Sequence, residues 1–574
     1  MNKLVNQNDY PDLIYLTKTK KPEWESGLTT TIKSSGCGIC CGVMVAQFFG
    51  YDLPIQSAIQ IAYDTNANTG FGTKYKEYAN GLAKKYDLYF ERSEKIEDLY
   101  RCLDEGGCAV VNVGGDHDDH LGYFSHVGHY IFIESHSRDN LVILDPGVDE
   151  DKYNEPHRKE IKFDGQRVYA KASLLLEDVQ NREYPFFLFK NNKTINSYSD
   201  IFDEIDKLND EFVDRWKDVV SIQSQTCDKA GVDEVEKYFL DYAGKQIWYT
   251  DELLLENAGN ALCITMNPLA IGKPIAISGH MDTVHPKDSV DTFIFDNLLY
   301  GPGAADCKGG LLVCLLAMKA LKNAGYTNRT IKFLLQSDEE TGSRTSNHQT
   351  INWMINHSKD AMCFINTEMY EKDTVVLIRK GICRYEVICH GVARHGSKCY
   401  EGSSAIKQAS HVVIELEKLQ DQNNITINCG LIEGGSAANV VPDTCKITCD
   451  VRYNEESDLV KIENYFAEVT SKEYVAGCTS EYKLVSNRPS MALNSTNESL
   501  LKSINRVMDD AGLNRLDYRK TTGGSDASYM SLNGIPTIDS LGVSGGKIHN
   551  PQEFACIDSL KENAYRIAAI IYGL

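Results

Sequence analysis

The sequence predicts an α/β protein built from more than one unit, on three observations. After residue 196, short β-branched runs alternate with helical ones, the rhythm of a mostly parallel sheet covered by helices. From Gly381 that rhythm changes to β-α-β-β-α-β, the order of a ferredoxin-like insert. Ahead of both, a separate stretch opens with small residues and a helix and ends in apolar strands. The division expected is 1–195, then 196–380 with 487–574, interrupted by 381–486.

The boundary near 190–200 lies in "FFLFKNNKTINSYSDIFDEI", where an apolar strand gives way to Asn, Ser and Lys before an amphipathic helix. "PIAISG", "TIKFLLQS" and "AMCFINTE" read as buried strands, and "GGLLVCLLAMKALKNAG" as a helix closed by Gly325. In the insert, "GICRYEVICHG", "NITINCGLIEGG", "CKITCDVRY" and "EYKLVS" are strands. "AIKQASHVVIELEKLQ" and "SDLVKIENYFAEVTSK" are helices. After Arg488 the α/β pattern resumes with the strand "GIPTIDSLG" and ends in a C-terminal helix.

Composition excludes several functions. A net charge of -22 over 574 residues argues against a nucleic-acid binder, which needs a basic face. No apolar run reaches membrane-spanning length, and "MNKLVNQNDYPDLIYLTKTKK" lacks the apolar core of an export signal. Eighteen cysteines without such a signal read as reduced thiols in a cytoplasm.

In "ISGHMDTVHP", His280 and Asp282 stand two apart at the end of a strand and therefore point the same way. A carboxylate holding one ring nitrogen leaves the other for a metal. Alone, the pair could equally be a loop histidine beside a solvated aspartate. Further groups fall at other element ends: Asp306 in "YGPGAADCKGG", Asp338 to Glu340 in "SDEETGS", Glu368 in "INTEMY", His549 in "GGKIHNPQEF". Ligands in open α/β sheets gather at the carboxyl ends of strands, so these groups can converge. Two histidines and three carboxylates, one of them shared, suit a pair of divalent ions, zinc foremost.

These motifs resemble the co-catalytic dizinc peptidase and deacylase family of glutamate carboxypeptidase, acetylornithine deacetylase and succinyl-diaminopimelate desuccinylase, over roughly residues 200–574. The resemblance implies that Asp306 bridges two zinc ions, with Co2+ or Mn2+ as substitutes. His280 and Glu368 would complete one site, and Glu340 and His549 the other. Asp282 would orient His280, and Glu339 would be the general base. It further implies a lid histidine at His395, serving a partner subunit in dimeric members, and a substrate carboxylate held by Asn439, Arg452, Gly524 and Ser525. Glu368, where aminopeptidase-like relatives tend to have Asp, leans toward a carboxypeptidase or N-acyl-amino-acid deacylase. Pro302 and Cys307 stand where the family usually has Arg and often Asp.

In the first stretch, "SSGCGICCGVMVAQFFG" places Cys37 where a helix begins, a position that favours a thiolate. "VGHYIFIESHSRDNLVILDPG" reads as a hairpin with His129 opening one strand and Asp145 ending the other, which allows a Cys-His-Asp activated thiol. The segment resembles the papain-like family that includes bacteriocin leader peptidases, over roughly residues 28–190. That implies a papain-like α+β domain with Cys37 as nucleophile. Thr31 falls where the family has its oxyanion glutamine, and Ile39 where it has proline. A CxxC redox pair, a cysteine metal cluster and simple burial compete with this reading. "GGDHDDH", residues 114–120, reads as a solvated lid or substrate loop.

The expected function is bifunctional. Zinc-dependent hydrolysis of a peptide or N-acyl amino acid bearing a free carboxylate joins thiol-dependent cleavage or acyl transfer at Cys37. The alternative is a zinc hydrolase alone, with the N-terminal unit only positioning a peptide. No nucleic acid or membrane partner is expected, and a homodimer through the insert is.

Overall fold

The structure is a computed structural model, and it describes residues 3–17, 30–68, 72–117, 120–137, 139–149, 151–192, 195–268, 270–421 and 423–574. Asp118 and Asp119 of the polar "GGDHDDH" loop, and Lys193 and Thr194 of the expected linker, fall outside these residues.

The first half includes helix α1 (Cys37–Phe48) and a sheet of β1 (Leu88–Ser93), β2 (Cys108–Val113), β3 (His129–Ser137), β4 (Asn140–Leu144), β5 (Lys162–Phe163), β6 (Val168–Lys171) and β7 (Phe186–Asn191). The order is β1-β7-β2-β3-β4-β6-β5, antiparallel throughout. Successive residues of a strand face opposite ways. Val110 and Phe132 therefore pack with Ile39, Cys40 and Met44 of α1, while Val111, Ile131 and Ile133 enter a second core behind the sheet. Both faces are covered, which is why "CAVV" in β2 is continuously apolar. A side chain at Gly42 would lie 2.3 Å from the Tyr78 ring, so glycine lets α1 sit close to its neighbour.

The second half begins with helix α2 (Tyr198–Ser221) and continues through β8 (Tyr249–Leu253), β9 (Ala261–Met266), β10 (Ile275–His280), helix α3 (Lys308–Ala324), β11 (Ile331–Gln336) and β12 (Cys363–Asn366). The insert follows as β13 (Gly381–His390), α4 (Ala405–Leu416), β14 (Thr426–Gly434), β15 (Thr444–Tyr453), α5 (Glu456–Thr470) and β16 (Thr479–Arg488). The chain then returns through β17 (Thr537–Ile538) and ends in α6 (Asp558–Gly573). The main sheet runs β17-β12-β10-β11-β9-β8. β17, β12, β10 and β11 are parallel, while β9 and β8 form an antiparallel edge. Helix α3 is apolar almost all round because it lies within one large core shared with α2, α6 and the sheet, and it closes on Gly325 in the left-handed conformation.

The insert sheet has the order β14-β15-β13-β16, all antiparallel. Alternate residues Cys383, Tyr385, Val387 and Cys389 of β13 face the core made with α4 and α5. β14 is an edge strand on which Leu431 and Ile432 are exposed, as are Ile406 and Ile414 of α4. All eighteen cysteines are free thiols, and no helix among the described residues is long and apolar enough to cross a membrane. β10 lies between β11 and β12, so three parallel strands end side by side at one rim of the sheet.

Candidate functional site

At that rim β10 ends in His280, the Glu339–Thr341 turn follows β11, and Glu368 comes two residues after β12. His280 Nε2 stands 3.1 Å from Asp306 Oδ1 and 3.9 Å from Glu368 Oε1. His549 Nε2 stands 3.2 Å from Asp306 Oδ2 and 3.1 Å from Glu340 Oε2. Two three-residue groups result, His280–Asp306–Glu368 and Asp306–Glu340–His549, and each of them can close on one ion. Asp306 offers one oxygen to each. The Asp306–Cys307 peptide is cis.

The donor set fits divalent cations. Burial, with the Asp306 carboxylate beside it, pushes Glu368 well above the ordinary carboxylate range, and burial pushes Glu340 up to about 7. Three carboxylates crowded out of water need positive charge, and imidazole with carboxylate is a ligand set suited to zinc.

Asp282 plays a larger part than the sequence implied. The nearest partner of His280 Nδ1 is the Asp282 backbone carbonyl, at 3.0 Å, with the carboxylate Oδ1 further away at 3.4 Å. The carboxylate itself accepts the backbone N–H of Glu339 and of Glu340, each at 3.1 Å, and the Thr226 hydroxyl at 2.8 Å. It thereby ties the histidine strand to the loop carrying the expected base.

Three more residues went unseen in the sequence. Glu553 accepts the backbone N–H groups of Ala305 and Asp306 at 2.9 and 3.0 Å, and its other oxygen meets His285 Nε2 at 2.8 Å. Arg488, the last residue of β16, donates from Nη1 to Glu339 Oε1 at 2.6 Å and from Nη2 to the Glu339 carbonyl. Arg379 pairs with Asp539 at 2.6 Å and donates to the carbonyls of Gly523 and Gly524. "HNPQEF" was a motif in which Glu553 could have been noticed, whereas an arginine at a strand end gives no such signal.

A cleft of about 570 Å³ joins these groups to the insert, and Arg452 and Gly524 line it. Ser525 does not. It is fully buried, and its hydroxyl donates to Asp539 at 2.6 Å. Asn439 and His395 lie outside the cleft, side by side on the insert, where the Gly396 N–H donates to the Asn439 carbonyl. Within one chain, neither reaches the site.

In the first half, β3 and β4 bring His129 Nε2 to 2.8 Å from Asp145 Oδ1. Asp145 Oδ2 accepts from Lys152 Nζ at 2.6 Å and from the Tyr153 hydroxyl at 2.5 Å. Burial would raise the Asp145 carboxyl, but Lys152 and His129 hold it well below the ordinary range. Burial pulls His129 down, yet Asp145 and the Cys37 thiol lift it to about 9. Burial alone would raise Cys37 as well. Its hydrogen bond to His129 and that imidazole's charge outweigh burial and leave the thiol below its ordinary value. Cys40 and Cys41, inside the helix, are pushed up by burial.

The parallel strands, the shared aspartate and the two histidines define a metallohydrolase. More particularly, the chain belongs to Peptidase family M20/M25/M40, whose model matches residues 276–573. Carboxypeptidase G2 of Pseudomonas sp. (strain RS-16) is 28% identical over 310 residues, covering 53% of this chain and 74% of the relative. Succinyl-diaminopimelate desuccinylase of Ehrlichia canis (strain Jake) is 25% identical over 317 residues, covering 51% of this chain and 80% of that one. Among solved structures, a tripeptidase from Staphylococcus aureus superposes with a TM-score of 0.53 at 24% identity, over 63% of this chain and 97% of its own. The metallo-carboxypeptidase Sso-CP2 from Sulfolobus solfataricus gives 0.51 at 16%, over 63% and 99%. The family match lies in the second half. The papain-like reading of the first half rests on the Cys37–His129–Asp145 geometry alone.

Residues that orient metal ligands typically contribute 10–100-fold to metal affinity or activity. Asp282→Ala should therefore weaken zinc binding by about 10–100-fold in a competition titration against a chromogenic chelator. Unchanged affinity would show that the Asp282 carboxylate does not organise the centre.

Proposed function

We propose that the protein hydrolyses the amide bond of a peptide or N-acyl amino acid that carries a free carboxylate. The observation that carries this reading is the pair of three-residue groups sharing Asp306, with Glu339 next to the ligand Glu340. Bound divalent cations would polarise the scissile carbonyl and make water a stronger nucleophile at neutral pH. Glu339 would take a proton from the attacking water on its carboxylate and return it to the leaving nitrogen. Arg488 fixes the Glu339 carboxylate, so the base is held in one orientation.

The cleft supports an anionic substrate. In a chain of net charge -22 it is lined by Arg344, Arg379, Arg384, Arg452, Arg488 and Arg519. Arg344 and Arg384 have no carboxylate partner among the described residues, and burial together with the Arg384 and Arg488 charges pulls Arg344 below its ordinary value. Guanidinium groups gathered in this way suit a carboxylate, which they can hold bidentately. The names carboxypeptidase and desuccinylase borne by relatives agree with this class.

We further propose that His395 serves the site of a second copy of this chain. Its exposed place outside its own cleft supports this, as does the apolar edge formed by Leu431, Ile432, Ile406 and Ile414.

A second reading concerns the thiol. The His129–Asp145 pair beside Cys37 supports a nucleophilic cysteine that cleaves or transfers an acyl group. A carboxyl-terminal peptide or acyl product of one half would then meet chemistry of the same bond class in the other.

On a panel of N-acyl amino acids and dipeptides, Glu339→Ala should lower kcat by about 10²–10⁴-fold with zinc content unchanged. Arg384→Ala should raise KM about tenfold or more, as loss of a charged hydrogen bond worth ~1.5–3 kcal/mol implies. Loss of zinc in Glu339→Ala would make that residue a ligand instead.

Mixing His395→Ala with Glu339→Ala chains should restore part of the activity through hybrid dimers. No recovery in a sample shown to exchange subunits would rule out the shared site.

Brief iodoacetamide treatment at neutral pH should label Cys37 ahead of Cys40 and Cys41, since of these three only the Cys37 thiol lies below its ordinary value. The preference should vanish in His129→Ala. Labelling at Cys40 first would contradict the triad.

A further inference from the structure

The geometry points to a third metal site, unrelated to the shared-aspartate centre, held by His126, Glu155 and His157 in the first half. All three lie next to the β3–β4 hairpin, His126 in a loop and Glu155 and His157 at the short 3-10 helix Pro156–Arg158. His126 precedes β3, and Glu155 and His157 follow β4. One ligand atom from each lies within 4.8 Å of the others.

The atoms that face each other are Glu155 Oε2, His126 Nε2 at 3.0 Å from it, and His157 Nδ1 at 3.6 Å from it. The second distance is too long for a hydrogen bond. It is close to the separation of about 3.3 Å that two ligands have on one tetrahedral ion with bonds of 2.0–2.1 Å.

Each side chain is also anchored by its other atom. His126 Nδ1 lies 3.0 Å from both oxygens of Asp116, and His157 Nε2 lies 3.2 Å from the Gly122 carbonyl. Arg158, itself buried, donates to Glu155 Oε1 at 3.3 Å and leaves Oε2 facing the two rings. A histidine donating its second N–H to a carboxylate or carbonyl is the arrangement that fixes the tautomer of a metal ligand. Here both imidazoles have it. An ion bound there would take the place of the proton that His126 Nε2 shares with Glu155, and would meet the lone pairs of His126 Nε2 and His157 Nδ1.

Two imidazoles and a carboxylate select zinc or a similar first-row dication over calcium or magnesium. His126 is about half exposed, with 47% of its side chain accessible, so a fourth position stays open to solvent. An ion there would pin the loop that carries Asp116, Gly122 and His126 to the segment that carries Lys152 and Tyr153, the two residues bracing Asp145.

Zinc content after chelation, dialysis against zinc chloride and gel filtration tests this on the full chain. Wild type should carry one zinc more per chain than His126→Ala/His157→Ala. Glu155→Gln, which keeps the shape of the side chain, should lose the same ion, with circular dichroism checking that both variants are folded. The readout is a difference of one ion, so it stands whatever the occupancy of the Asp306 centre. Equal zinc in wild type and both folded variants would overturn the site.

Discussion

The carboxylate of Asp282 is the constraint on which the candidate centre depends. Three groups from distant parts of the chain donate to this carboxylate, the Thr226 hydroxyl of an earlier loop and the backbone N–H of Glu339 and of Glu340 after the neighbouring strand, while the Asp282 backbone carbonyl faces His280 Nδ1. A buried carboxylate without such donors would be costly. With them it fixes the distance between β10 and the loop after β11. Neither histidine nor glutamate could hold a stable geometry on a free loop, and the parallel pairing of the two strands is what brings their ends level.

Glu553 does the same for the other side. By accepting two consecutive N–H groups it sets the backbone that presents Asp306, and His285 fixes Glu553 in turn. The ligands thus rest on a layer of supporting residues, as expected where ligand orientation governs reactivity. Arg488 adds a link of another kind. It is the last residue of the insert's sheet and it grips the expected base, so the position of the insert is coupled to the orientation of Glu339. Three arginines of the cleft, Arg384, Arg452 and Arg488, come from the insert and three, Arg344, Arg379 and Arg519, from outside it, so the proposed substrate site lies at their junction.

The sequence made the ligands legible because each sits at an abrupt change of pattern, where an apolar run stops and acidic or glycine-rich residues begin. The insert was legible for the same reason, and its strand order is the one its element order implies. The antiparallel edge of β8 and β9 was not read, although "LLLENAGNALCITM" holds two apolar runs around a turn. Partners such as Glu553 and Ala305, or Arg488 and Glu339, are separated by more than a hundred residues, and no local pattern encodes such pairs. The burial of Ser525 was not legible either, because a motif carries identity but not burial. In the first half the hairpin predicted His129 beside Asp145. The bracing by Lys152 and Tyr153 came only from the fold of the following segment.

The central claim is that Asp306 is shared between two cations. Anomalous diffraction from crystals of the zinc-loaded protein measures this directly. The account predicts two peaks about 3.5–4 Å apart between His280 and His549, both bonded to Asp306, with Glu339 outside the coordination of either. A single peak there, two peaks that do not share Asp306, or a zinc bonded to Glu339 would contradict it.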